Sequence, residues 1–160
     1  MRRTFTSCAA IILALSCSQV FAQEGGFKDP NTGKVWSYHR YDSGGTWQYA
    51  TNYAANFGVW DLNSQGVLTY YDDWRLPTVT ELHAAIANGT IEWVNQNSNI
   101  VIRNRPGLFW TSTLTGKKPW YVWIWFGPSG EVIQSESGKT EKDPFNYGTQ
   151  SYIWAFMIRP

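Results

Sequence analysis

Beyond Cys17 the sequence contains no cysteine; its only two, Cys8 and Cys17, lie close to the start. A chain that loses this stretch has no internal disulfide, no thiol nucleophile and no thiolate metal centre. Histidine is almost as scarce, and His39 and His83 stand far apart, without the close pairing a zinc site uses. There is no glycine-rich phosphate loop. The apolar run from Cys8 to Leu15 is too short to cross a bilayer, and no later run is longer. Charge is nearly balanced, at a formal +1, with no basic block, which argues against nucleic acid as a partner. The acidic residues are scattered. Asp72 and Asp73 are adjacent, so in extended chain they point opposite ways and cannot form the facing carboxylate pair of a glycosidase. Thr111, Ser112, Thr113 and Thr115 cluster with no His–Asp pattern nearby and read as strand and turn hydroxyls.

The first residues read as an export signal. Arg2 and Arg3 precede the apolar run, and Val20-Phe21-Ala22 offers small residues where a signal peptidase cuts, so residues 1–22 form the leader and 23–160 one domain. A competing reading is a lipoprotein acylated at Cys17, after Ala14-Leu15-Ser16. Either route exports the protein, to the periplasm or beyond. Losing Arg2 and Arg3 takes the 13 basic residues to 11, against 12 acidic ones. Asn88-Gly89-Thr90 has the spacing of a glycosylation acceptor, which a helix stop at Gly89 explains without a sugar.

What the chain does have is aromatic rings. All ten tryptophans and nine tyrosines follow the leader, and each ring can bury about 150–250 Å². The most informative stretch is Asp72–Leu82. Thr78 followed by Glu81 is a capping box, Pro77 blocks an earlier helical turn, Leu82, Ala85 and Ile86 repeat at helical spacing, and Gly89 ends the run. Before the cap stand Trp74 and Arg75. An arginine here needs a carboxylate, and Glu81, Asp72 and Asp73 are the nearest. One reading is a structural knot; the other turns Asp72 and Asp73 toward a ligand or cation.

Elsewhere Asp29-Pro30-Asn31-Thr32-Gly33 reads as a turn between two short strands, and Thr46 caps a first helix with Trp47, Ala50, Ala54 and Phe57 on one face. Trp60–Tyr71 reads as loop around an Asn63–Gly66 turn, with a short strand at Val67–Tyr70. Ile91–Arg105 is asparagine-rich and reads as a long surface loop with a strand at Ile100–Ile102. Strands are expected at Leu108–Thr113, Trp120–Phe126, Glu131–Ser135 and Ser151–Arg159. In Trp120–Phe126 both faces are apolar, so the strand is either buried between layers or presents a sticky face. Tyr121, Trp123 and Trp125 on one face, with Asn97, Asn99 and Arg103 as polar neighbours, are the candidate ligand-binding residues. For calcium, Asp61, Asn63, Asp72 and Asp73 are the available oxygens, but no dedicated loop spacing marks them and no cofactor is called for.

The run Asp73-Trp74-Arg75-Leu76-Pro77-Thr78, with Glu81-Leu82, resembles the signature of the Lcl C-terminal domain family, bacterial extracytoplasmic domains of largely unknown function. Asp29…Thr32-Gly33…Trp36, Thr46–Ala50, Phe109–Thr113 and Ile158-Arg159 are similar to its other landmarks in the same order. The resemblance implies an α+β fold related to C-type lectins and sulfatase-modifying factors, with two helices on a twisted antiparallel sheet and the strands at Val35 and Ile158 side by side. It also implies adhesin-like or lectin-like roles without catalysis, binding a glycan or a cell-surface protein. The alternative is a structural or protein-interaction domain of an envelope assembly. Family members often carry a cysteine in the first helix and another near the closing strand; here those places hold Ala54 or Ala55 and Met157. The sulfatase-modifying relatives act through cysteines, so their activity is not carried over. The sugar-binding Glu-Pro-Asn and Trp-Asn-Asp of true C-type lectins are missing too.

Overall fold

The computed structural model describes residues 25–37, 41–42, 46–98, 101–139 and 153–160. The expected leader with Cys8 and Cys17, and also His39, Asn99 and Ile100, lie outside these.

The chain opens with a hairpin, β1 (Gly26–Lys28) and β2 (Val35–Ser37), whose register sets Phe27 opposite Trp36. Asp29 builds the turn. Its buried carboxylate accepts from the Asn31 backbone N–H and the Thr32 hydroxyl, each at 2.9 Å, and from the Asn88 side chain at 3.1 Å. On the other side of β2 lies β10 (Ile158–Arg159), with Ile158 opposite Trp36. The two ends of the domain meet, as expected from Val35 and Ile158.

A five-stranded sheet forms the middle of the molecule, in the order β3 (Tyr41–Asp42), β9 (Ile153–Ala155), β6 (Arg105–Thr115), β7 (Lys118–Phe126), β8 (Val132–Lys139). It is mixed rather than purely antiparallel, because β9 runs parallel to β6. The last strand is likewise two: β9 belongs to this sheet and β10 to the first, with the buried Phe156 and Met157 between them.

Period-two alternation splits the core across this sheet. Phe109, Val122, Ile124, Phe126 and Trp154 face α2 (Val79–Ala87) and α3 (Thr90–Asn97) through Leu82, Ala85, Ile91 and Val94. Leu108, Trp110 and Ala155 face α1 (Trp47–Asn56) through Ala50 and Ala54. The doubly apolar strand is therefore an inner layer. Trp36, Trp110 and Trp154 are at most 1% exposed. At about 25 cal/mol per Å², each contributes up to about 4–6 kcal/mol of transfer free energy. That is at least what one disulfide typically contributes, about 2–4 kcal/mol.

Two expectations need correction. Among the described residues there are three helices, not two, because α3 occupies the supposed asparagine loop. Gly89, at φ 82°, ends α2 and starts α3 at once, and Ile91 and Val94 supply the buried face. The asparagines hid it, being weak helix formers. Asn95 is wholly buried: its side-chain N–H groups reach the carbonyls of Ile102 and Gly130 at 3.0 and 2.8 Å, and its oxygen accepts from the Ile102 N–H at 3.0 Å. The second correction concerns Trp60–Tyr71: the strand expected at Val67–Tyr70 is β5 (Leu68–Tyr71), but it pairs with a strand read as loop, β4 (Val59–Leu62), in a hairpin.

Candidate binding surface

The Trp74-Arg75 stretch is a fastening. Arg75 grips Glu81 with two parallel hydrogen bonds of 2.8 and 2.7 Å, while Lys34 approaches the same carboxylate to 3.0 Å. Thr78 completes the capping box, its N–H donating to Glu81 at 2.8 Å and its hydroxyl accepting from the Glu81 N–H at 3.1 Å. The Arg75 guanidinium, outweighing the effect of burial, holds Glu81 far below the usual carboxylate range and is itself raised. The Arg75 backbone exchanges hydrogen bonds with Ile158, at 3.0 and 2.8 Å. Pro77 is buried and its carbonyl accepts from the Ser112 N–H at 2.8 Å. The stretch thus ties both sheets to the start of α2.

Trp74 takes a different arginine. Its indole donates to the Tyr71 carbonyl at 3.1 Å, while Arg159 lies 4.1 Å over the Tyr71 ring and 6.0 Å from the Trp74 ring, paired with Asp73 at 2.8 Å. Asp61 accepts from the Gly25 N–H at 2.7 Å. Asp61 and Asp73 are thus held by separate partners, Asp72 is exposed, and among the described residues no group of three His, Cys, Asp or Glu could hold a metal ion.

The expected aromatic face is graded. Tyr121 and Trp123 are half-buried against the core on the α1 side, and only Trp125, 43% exposed, stands open. Asn97 is exposed but donates to its own helix at the Trp93 carbonyl, 2.9 Å away; Arg103 is exposed. A hollow of about 130 Å³ between the first turn and α2 is lined by Asp29, Lys34, Trp36 and Glu81. It is small beside the roughly 300–1,000 Å³ of ligand pockets, and its carboxylates are already taken by Asn88, Lys34 and Arg75.

The larger feature is one that reading the sequence as loop missed. In the β4–β5 hairpin Trp60 stands opposite Tyr70 and Leu62 opposite Leu68, so all four share a face. They are 63%, 46%, 47% and 61% exposed. The reverse face, Val59, Asp61, Thr69 and Tyr71, is turned to the body of the protein. Asn63 shapes the turn, its side chain accepting from the Gln65 and Val67 N–H groups at 3.0 and 2.9 Å, with Gly66 at φ 75°. The Trp60 and Tyr70 rings lie 5.2 Å apart, inclined by 44°. The Tyr70 hydroxyl end rests on Gly58, where any Cβ would collide with it. The signal was present: apolar residues alternate on both sides of an Asn–Gly turn.

Fold and surface together define an α+β domain with an exposed apolar face on its β4–β5 hairpin. Residues 25–152 match the model of the Lcl C-terminal domain, and the chain belongs to that family. No curated protein and no solved structure matches it. No helix among the described residues is long and apolar enough to cross a membrane.

Proposed function

We propose that this chain is an exported, non-catalytic binding module of C-type-lectin-like kind, engaging carbohydrate at the bacterial envelope or outside the cell. The observation that carries this reading is the β4–β5 face: four large apolar side chains held outward in register. Aromatic rings stack on the C–H faces of sugars, and a contiguous exposed apolar patch marks an interaction site. Export rests on the leader, with cleavage after Ala22 expected ahead of acylation at Cys17. Screening the mature chain on a glycan array, with and without calcium, tests the reading; no binding above background in either buffer rejects it.

A second reading, an interaction domain of an envelope assembly, draws on a different place. Trp125 on β7 and Ile133 on β8, the last strand of the sheet among the described residues, are 43% and 59% exposed. Such an edge accepts a strand from a protein partner. Pull-down with a β8-edge proline variant, Gln134→Pro, separates the two: a lost protein partner with glycan binding intact favours it.

A further inference from the structure

We infer that the occupant of the hairpin face is a neutral glycan, seated across the Trp60 and Tyr70 rings, and that Gly58 positions Tyr70 for it. This rests on the carbohydrate reading above and gives that reading a place and a substrate class.

Charge decides the class. From Trp47 to Trp74 there is no Lys, Arg or His, while Asp61, Asp72 and Asp73 are all there. Just past this segment Arg75 is paired with Glu81, and Arg159 of the closing strand with Asp73. Within the described segment Trp47–Trp74 a sulfated, carboxylated or phosphorylated chain finds no counter-charge, while Asp72 is exposed there. Area rules against a protein partner or a second copy. At their exposed fractions Trp60 and Tyr70 each offer roughly 100–160 Å². The whole face is then a few hundred Å², where a stable protein interface needs about 800 Å² from each side. A membrane is disfavoured by the tip, where Asn63, Ser64 and Gln65 would have to be immersed ahead of the rings. A sugar ring has apolar C–H faces without charge, and two rings inclined at 44° make a shallow seat.

Pre-organisation comes from Gly58. Because only a residue without Cβ leaves room for the Tyr70 hydroxyl end, Gly58→Ala must push that ring off its place. Gly58 is a positioning residue: it shapes the seat without belonging to it.

The test uses the mature chain with cellohexaose, laminarihexaose and mannohexaose as neutral probes and dextran sulfate as the anionic one, titrated by calorimetry. At least one neutral oligosaccharide is expected to bind. Trp60→Ala and Tyr70→Ala should each weaken it about tenfold or more, Trp60→Phe should retain most of the affinity, and Gly58→Ala should fall between. Leu114→Ser, exposed at the β6–β7 turn, should not change it. Unfolding temperature and near-ultraviolet circular dichroism report whether each variant keeps its fold. Neutral binding indifferent to Trp60→Ala and Tyr70→Ala overturns the site. Binding confined to dextran sulfate, fading with salt, overturns the substrate class but leaves the carbohydrate reading standing. No binding to any of the probes, or across the glycan array, removes both.

Discussion

Glu81 is a single carboxylate serving five donors: both Arg75 terminal nitrogens, the Lys34 ammonium, and the N–H and hydroxyl of Thr78. Its acidity is strongly enhanced in the fold, chiefly by the Arg75 hydrogen bonds. Asp29 is also shifted down: burial pushes it up, but hydrogen bonds from Asn31, Thr32 and Asn88 together prevail. For a carboxylate depressed in the folded state, stability is present above the unfolded value and lost as pH falls through the folded one. The domain should therefore lose stability steadily below about pH 4.5, the ordinary value for Glu81. Glu81→Gln should flatten that acid limb and, at neutral pH, cost about 2–3 kcal/mol by unpairing Arg75 and weakening the cap. Denaturant unfolding from pH 3 to 7 checks both; an unchanged acid limb in the variant refutes the assignment. Sequence narrowed the partner of Arg75 to Glu81, Asp72 or Asp73, all close along the chain, and the fold selects Glu81. Arg159–Asp73 was not legible, since 86 positions separate them and only the fold brings the ends together.

At the level of elements, two segments were misread for opposite reasons. The α3 helix is short and dominated by polar side chains, so its register shows only in Ile91 and Val94 and in an asparagine working inside the core. Asn95→Ala should leave the carbonyls of Ile102 and Gly130 and the Ile102 N–H without this partner, a loss of about 2–4 kcal/mol in equilibrium unfolding. A cost under about 0.5 kcal/mol would mean that α3 is not held this way. The junction before it is gentler. Gly89 has positive φ but nothing within 4 Å of a would-be Cβ, so Gly89→Ala should cost about 1–2 kcal/mol from backbone strain alone. The β4–β5 hairpin was misread because its apolar alternation is exposed; a buried strand has company in the sequence pattern, and an outward one resembles loop. By contrast α1, α2 and the strands from Leu108 to Phe126 were legible, because capping chemistry and burial agree there with local periodicity.

Across the whole molecule the closing segment carries more than its length suggests. Ile158 lies between Trp36 of β2 and the Arg75 bridge, exchanging both of its backbone hydrogen bonds with Arg75, while Met157, whose carbonyl accepts from the Ser37 N–H, and Ile158 are completely buried. Met157 and Ala54 belong to one apolar cluster. With no cysteine after Cys17, packing alone holds the two ends together here, so the stability of the chain from residue 23 should be indifferent to reductant and acutely sensitive to volume. Met157→Ala removes buried mass from a site lined by Trp74, Trp110 and Ala54 and should cost about 2–5 kcal/mol, seen as a fall in Tm on the order of ten degrees with or without dithiothreitol. A drop of only a degree or two would show that this end of the core is loosely filled and that the tryptophans on the far face of the sheet hold the domain by themselves. The hairpin projects from the Met157 side of the sheet, with Val59 resting on that same cluster. Loosening Met157 should therefore also unsettle the Trp60–Tyr70 seat, whereas an equal loss of stability on the other face, as in Val122→Ala, should not. Comparing the two variants by tryptophan fluorescence quenching at matched stability decides whether seat and core are coupled.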